Sequence, residues 1–239
     1  MSWTSNLQAY DDNLLHVWHL DETSGTRYDS VGDLDLTESS GTVGYSTGKN
    51  GNAANFTDHS NTLEATAGVL DNKTAASFSF WVNVSSYSSG IFYVVDCNLG
   101  LEVNDNGSFS LYVNYYDSDI GLDNAWTPSS SASELSTSTW HHILAAVDFS
   151  GGVCYAKVWL DGSSIIDDSY TGAMSGNSCS YFGTYNTFEA GLDSGGGTDH
   201  DGDVDELYLW DAALGATEAS DLYNSGSGNF YEPTSGSSS

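Results

Sequence analysis

Four carboxylates, Asp199, Asp201, Asp203 and Asp205, recur at every second position after a Gly-rich loop and run directly into Glu206. In an extended segment all four would point to one side, where crowded like charges favour a bound cation and oxygen ligands suit a hard one. This is not a calcium loop of the EF-hand kind, because the glycine falls at Gly202 and no glutamate closes a twelve-residue loop. A solvated acidic loop is the plain alternative. Strand alternation places Glu206 on the face opposite Asp205. His141 and His142 invite a proton-transfer reading, yet no nucleophile motif accompanies them, and they read as packed strand histidines. His16 and His19 fall on opposite faces of one strand, while His59 and His200 lie in turns, so spacing alone assembles no triad and no histidine-rich metal site.

A second kind of chemistry comes from aromatic rings. In Phe78 to Val84 the alternation sorts Phe78, Phe80, Val82 and Val84 to a core face and leaves Trp81 on the other. Phe109 to Tyr116 likewise buries Phe109, Leu111, Val113 and Tyr115 and leaves Tyr112 and Tyr116. Val153 to Asp161 buries Cys154, Ala156, Val158 and Leu160 and leaves Tyr155 and Trp159. Flat rings with a polar edge suit stacking on a sugar or anchoring a protein. Trp81, Tyr112, Tyr116, Tyr155 and Trp159 are therefore the candidate ligand- or partner-binding residues, unless long loops cover that face.

The elements that must hold these residues are strands. Short alternating apolar runs separated by Gly, Asn, Asp and Ser clusters predict strands at Leu15 to Leu20, Ala53 to Phe56, Phe78 to Val84, Ile91 to Val95 and Leu99 to Val103. Further strands are predicted at Phe109 to Tyr116, His141 to Asp148, Val153 to Leu160, Tyr181 to Gly183 and Val204 to Trp210. One helix is expected, from Thr217 to Asn224, begun by Thr217 and ended at Gly226. The expected layout is an N-terminal arm over residues 1–13, a domain over 14–224 and a Gly- and Ser-rich tail over 225–239, which would need something to pack against in order to be ordered.

With 39% hydrophobic residues and 13% aromatics, the 239-residue chain can build a sizeable core. Thirty-three acids against four basic residues (Arg27, Lys49, Lys73, Lys157) give a net charge of -29, which repels a phosphate backbone and speaks against nucleic acid as a partner. So large an excess also strains the compact state unless salt or divalent cations screen it. No run is long and apolar enough to enter a membrane, and Met1 to Asn13 lacks the pattern of a signal peptide. Cys97, Cys154 and Cys179 form no paired-thiol metal motif and read as buried thiols, with a Cys154 to Cys179 bridge as the alternative. Sequons beginning at Asn55, Asn72, Asn83 and Asn106 read as chance in so polar a chain.

Several separated stretches together resemble the LamG-like jelly-roll family of concanavalin A-like sandwiches over roughly Leu14 to Gly228. They are Trp18-His19-Leu20-Asp21-Glu22-Thr23-Ser24-Gly25, then Gly48, Gly51, Ala53, Ala54 and Phe56, then Trp140-His141-His142, Val158 to Gly162, and Asp203 to Trp210 with the helix after it. The resemblance implies an all-β fold, an antiparallel two-sheet β-sandwich with one short C-terminal helix. It also implies a structural calcium near Asp205, to which the alternate spacing adds Asp203 and Asp201 as neighbouring ligands. The Glu-x-Asp-x-x-Glu pattern of the related glycoside hydrolases does not occur, which makes the expected protein non-enzymatic. Two functions are expected. One is a structural or attachment protein of a larger particle, such as a viral capsid decoration or tail-associated protein, at a virion or extracellular surface. The other is a calcium-dependent carbohydrate-binding module that recognises surface glycans.

Overall fold

The computed structural model describes residues 2–3, 12–56, 61–86, 92–96, 98–104, 106–118, 121–131, 135–171, 179–184, 187–191 and 201–232. In chain order the strands are β1 (Ser2–Trp3), β2 (Leu14–Trp18), β3 (Thr37–Ser40), β4 (Gly44–Thr47), β5 (Asn52–Phe56) and β6 (Thr62–Ala65). Next come β7 (Ala75–Val84), β8 (Phe92–Asp96), β9 (Leu99–Val103), β10 (Phe109–Asp117), β11 (Leu122–Trp126) and β12 (His141–Ser150). The last are β13 (Val153–Leu160), β14 (Ser163–Tyr170), β15 (Cys179–Phe182), β16 (Phe188–Ala190), β17 (Gly202–Trp210) and, after helix α1 (Ala216–Tyr223), β18 (Tyr231–Glu232). Two antiparallel eight-stranded sheets result. One runs β11-β10-β9-β8-β16-β6-β3, with β15 also on β10; the other runs β14-β13-β12-β7-β17-β5-β4, with β2 also on β17.

The sorting of side chains by strand alternation holds in space. Phe78, Phe80, Val82 and Val84 from β7, Phe109, Leu111, Val113 and Tyr115 from β10, and Cys154, Ala156, Val158 and Leu160 from β13 all lie in the core between the sheets. The β7-containing sheet is buried on its outer face as well, where Val17, Leu144, Trp159, Tyr208 and Trp210 meet Ala219 and Leu222 of α1 and Tyr231. A sheet covered on both faces reads as near-continuous apolar sequence rather than as strict alternation, as Leu207, Tyr208, Leu209 and Trp210 do.

Three expectations need correction. The helix starts at Ala216, where Glu218 accepts from the Gly215 amide at 2.7 Å, and ends on Asn224 in the left-handed region rather than on Gly226. The stretch after Asn224 is not a tail up to residue 232: the Asn229 amide bonds to Leu222 O at 3.0 Å, Tyr231 is buried, and β18 pairs with β1 from the supposed N-terminal arm. It packs against its own chain. Glu206 does not lie opposite Asp205. It takes φ of 54° at a bulge in β17, so the extra residue leaves both acids and Tyr208 on the outer side while Val204 and Leu207 remain in the core.

Candidate functional site

The acidic end of β17 is tied down by loops from distant parts of the chain. Gly48 and Gly51 let the intervening turn lie flat on the strand, since a Cβ at Gly48 would meet Asp205 Oδ2 at 2.6 Å and one at Gly51 would meet Asp21 Oδ1 at 2.2 Å. The amides of Lys49 and Asn50 donate to Asp205 Oδ2 at 2.7 and 2.9 Å. Asn50 Nδ2 donates to Glu206 Oε1 at 2.7 Å, His19 Nδ1 lies 2.9 Å from Glu206 Oε2, and the Tyr208 hydroxyl donates to that same oxygen. Burial, followed by the charge of Glu206, pushes Asp205 up to about 8. Burial pulls His19 down, but the hydrogen bond to Glu206 and the charges of Glu206, Asp21 and Glu232 outweigh it and leave its pKa raised. A recess of about 220 Å³ opens over this cluster between His19, Asp21, Asn50, Tyr231 and Glu232.

The expected calcium ligands Asp201, Asp203 and Asp205 do not converge. Asp203 Oδ1 accepts from Ser46 Oγ at 2.7 Å and Asn55 Nδ2 at 2.6 Å, and Asp201 Oδ2 accepts from Ser86 Oγ at 3.3 Å. Among the described residues no group of three His, Cys, Asp or Glu side chains is placed to hold a metal ion. Asp205 Oδ1 is buried without a partner, which suits the proton of a neutral carboxyl as well as it would suit a cation. Asp201, Asp203 and Asp205 are therefore not gathered into one three-carboxylate group. Asp199 and His200 lie outside the described residues, as do His59 and Cys97.

The five candidate aromatics do not form one surface. Trp81 is sealed beneath Tyr223, with ring centroids 6.0 Å apart, and beneath Lys49, whose Nζ lies 4.5 Å from the ring. Trp159 is 4% exposed, under the helix. Both were correctly assigned to the face away from the core, but α1 and the Gly48–Gly51 turn cover it. Tyr112 and Tyr116 stand on the other sheet, on the far side of the sandwich, where Tyr116 stacks on Tyr181 at 4.9 Å. Tyr155 alone is largely open, at 41%. It lines a groove of about 350 Å³ with Asp148, Lys157, the edge of Trp159, Leu214 and Gly215. Lys157 reaches Asp167 at 3.2 Å, but both are exposed, and a pair of this kind holds its lysine weakly. Asp148, Lys157 and Leu214 were not singled out by the sequence reading. The ladder partner of Tyr155 is Asp148, which β12 alternation could have revealed once the β12–β13 hairpin was drawn.

Space also assembles what spacing did not. Ser136 Oγ lies 2.7 Å from His141 Nε2, and His141 Nδ1 lies 2.7 Å from Asp161 Oδ2. Asp161 further accepts from the His142 amide at 2.9 Å and returns its own amide to His142 O at 2.9 Å, which clamps the β13–β14 turn to the start of β12. Asp161 needs that clamp, because it holds φ of 51°. Its carboxyl is raised by burial but more strongly lowered by the bonds to His141 and His142. Ser136 is exposed, whereas a hydrolytic serine works beside positioned oxyanion donors in a water-excluded cleft. His142 is packed, with Nε2 at 2.8 Å from Ser79 Oγ, and burial holds it well down, at about 3.

The model of the Concanavalin A-like lectin/glucanases superfamily matches residues 48–220. Comparison with curated proteins gives no match. Among solved structures, domain 4 of an extracellular arabinanase from Geobacillus stearothermophilus, in complex with arabinotriose, superposes with a TM-score of 0.58 at 20% identity, covering 87% of this chain and 97% of that one. Botulinum neurotoxin type C, whose cell entry depends on two ganglioside molecules, gives 0.64 at 12% identity over 92% of this chain and 53% of the toxin chain. Trypanosoma rangeli sialidase gives 0.62 at 13% identity over 89% of this chain and 33% of the enzyme. The chain thus spans about a third of the sialidase and about half of the toxin chain. At these identities the likeness is one of fold.

Proposed function

Because the chain belongs to the Concanavalin A-like lectin/glucanases superfamily, we propose that it is a non-catalytic carbohydrate-recognition module whose sugar seat is the groove beside Tyr155. The observation that carries this reading is the groove itself. An open tyrosine ring offers apolar area to the face of a sugar, over a floor closed by the buried Trp159. Lys157 and Asp148 stand at the rim as donor and acceptor for hydroxyls, and all four project from the rigid β12–β13 hairpin. The arabinotriose held by the arabinanase domain and the gangliosides required by the toxin support the same class of ligand. The Ser136–His141–Asp161 chain acts as a turn clamp.

A screen of immobilised glycans, run once with calcium and once with chelator, tests the proposal. Selective binding is expected, and Tyr155→Ala should weaken it by about 2 kcal/mol, the loss typical of a central aromatic anchor, with the melting temperature nearly unchanged. Binding that survives Tyr155→Ala would remove this groove as the seat. No binding from a well-folded sample would turn the reading to an attachment protein within a larger assembly, for which the Tyr116–Tyr181 pair on the opposite sheet is the available aromatic surface.

A further inference from the structure

Two of the three cysteines, 25 positions apart in sequence, meet inside the sandwich. Cys154 sits on β13 and Cys179 on β15, strands that belong to opposite sheets. Three contacts bring them together. Cys154 is the ladder partner of Tyr170, and the Cys179 thiol donates to Tyr170 O at 3.5 Å. The Cys179 amide donates to Gly152 O at 3.0 Å, two residues before Cys154. The two thiols lie near enough to perturb one another's ionisation. Both residues are fully buried as free thiols. A bridge requires short Cα and Cβ separations that few cysteine pairs meet by chance.

The geometry points to a redox-modification site: Cys154 and Cys179 form an intrachain disulfide that staples one sheet to the other. The oxidant is a small-molecule disulfide such as glutathione disulfide, and the exchange balances as two protein thiols plus one glutathione disulfide giving one protein disulfide and two glutathione thiols. A thiolate attacks a glutathione sulfur and expels the first glutathione thiolate; the second cysteine then attacks the mixed disulfide and expels the other. Cys179 is the suited attacking group, since the neighbouring Cys154 lowers its pKa, whereas burial pushes Cys154 up. Access comes during folding or through local opening of β15, a four-residue strand that pairs with β10. The cross-link closes a loop of 25 positions and acts mainly by restricting the unfolded chain. The inference is independent of the sugar-binding reading.

The test equilibrates the whole protein with a glutathione redox buffer, quenches with acid, and maps thiols and links by mass spectrometry of the denatured chain. A Cys154–Cys179 link is expected, and a Cys97→Ser variant should then retain no titratable thiol. The melting temperature of the oxidised protein should exceed that of the reduced one by on the order of 5–10 °C. Both thiols still free in Cys97→Ser, a reaction that halts at the glutathione adduct, or a link that runs through Cys97 would each overturn it.

Discussion

Asp205 shows how a residue can be singled out from sequence while the contacts that set its chemistry stay hidden. The alternating acids identify the strand position, but the Lys49 and Asn50 amides that fix Asp205 lie 156 and 155 positions away in sequence, and the bulge that swings Glu206 alongside it has no local sequence signal. Folding thus strips Asp205 of water and sets a second carboxylate beside it, which holds its pKa near 8 against an ordinary 3.8. The sign follows: between those values the folded protein keeps a proton that the unfolded chain has lost, so stability from this group is full below pH 3.8 and falls as pH rises to 8. His19, also raised, acts in the same direction as pH passes its ordinary 6.5. Asp29 works the other way at the acid end. Burial raises it, but bonds from His16, Val17, Val31 and Gly32 outweigh this and hold it at about 2, so its stabilisation is lost only as pH falls from 3.8 toward 2. Wild type should therefore melt higher at pH 5 than at pH 8. Asp205→Asn, which can still accept the two amides, should flatten that slope and raise the melting temperature at pH 8 by several degrees. Calorimetry across this range is the check, with calcium added at pH 8 as the second arm. A rise in wild type that Asp205→Asn abolishes would restore Asp205 as a metal ligand.

At the scale of elements, legibility followed exposure. Strands with an apolar face, such as β7, β9, β10, β12 and β13, were read within a few residues of their bounds. Those missed include both ends of the main run of each sheet, β3 and β11 in one and β4 and β14 in the other. An edge strand with both faces wet carries no alternation, and β14, Ser-Ser-Ile-Ile-Asp-Asp-Ser-Tyr, uses charge to discourage further pairing. The same exposure rule explains why the rings were misjudged. Alternation says which way Trp159 points, but what covers it is decided by α1, which joins the sheet only in three dimensions. Trp159→Ala would thus hollow a packed site and test stability rather than recognition. The second cluster also depends on the stretch after the helix, because Tyr231 belongs to it. Truncation after Asn224 removes that ring and the Asn229 to Leu222 bond. It should cost about 3–5 kcal/mol in denaturant titration, as loss of a large buried side chain does. A truncated chain as stable as the full one would mean that residues 225–232 ride on the fold without holding it.

The whole molecule carries its charge almost without internal relief. Of the four cations, Arg27 is buried and donates to Gly25, Val43 and Gly44 carbonyls, Lys49 donates to Gly226 O and lies over Trp81, and among the described residues Lys73 and Lys157 are the two that pair with carboxylates, Asp211 and Asp167. A net charge of -29 is therefore a repulsive load borne by the folded surface and diluted when the chain expands. Raising ionic strength from about 0.1 M to 1 M shortens the screening length from roughly 10 Å to 3 Å, less than the spacing of most surface charges. The two lysine pairs weaken too, but exposed pairs contribute at most about 1 kcal/mol each. Repulsion within so large an excess of acids outweighs them, so the melting temperature should rise with salt, opposite to a fold held by surface ion pairs. Sodium chloride and a salt of a large organic cation should act alike if screening is the cause. A response confined to millimolar divalent ions would instead locate the effect at particular carboxylates, and a fall with salt would show that the paired lysines outweigh the excess acids.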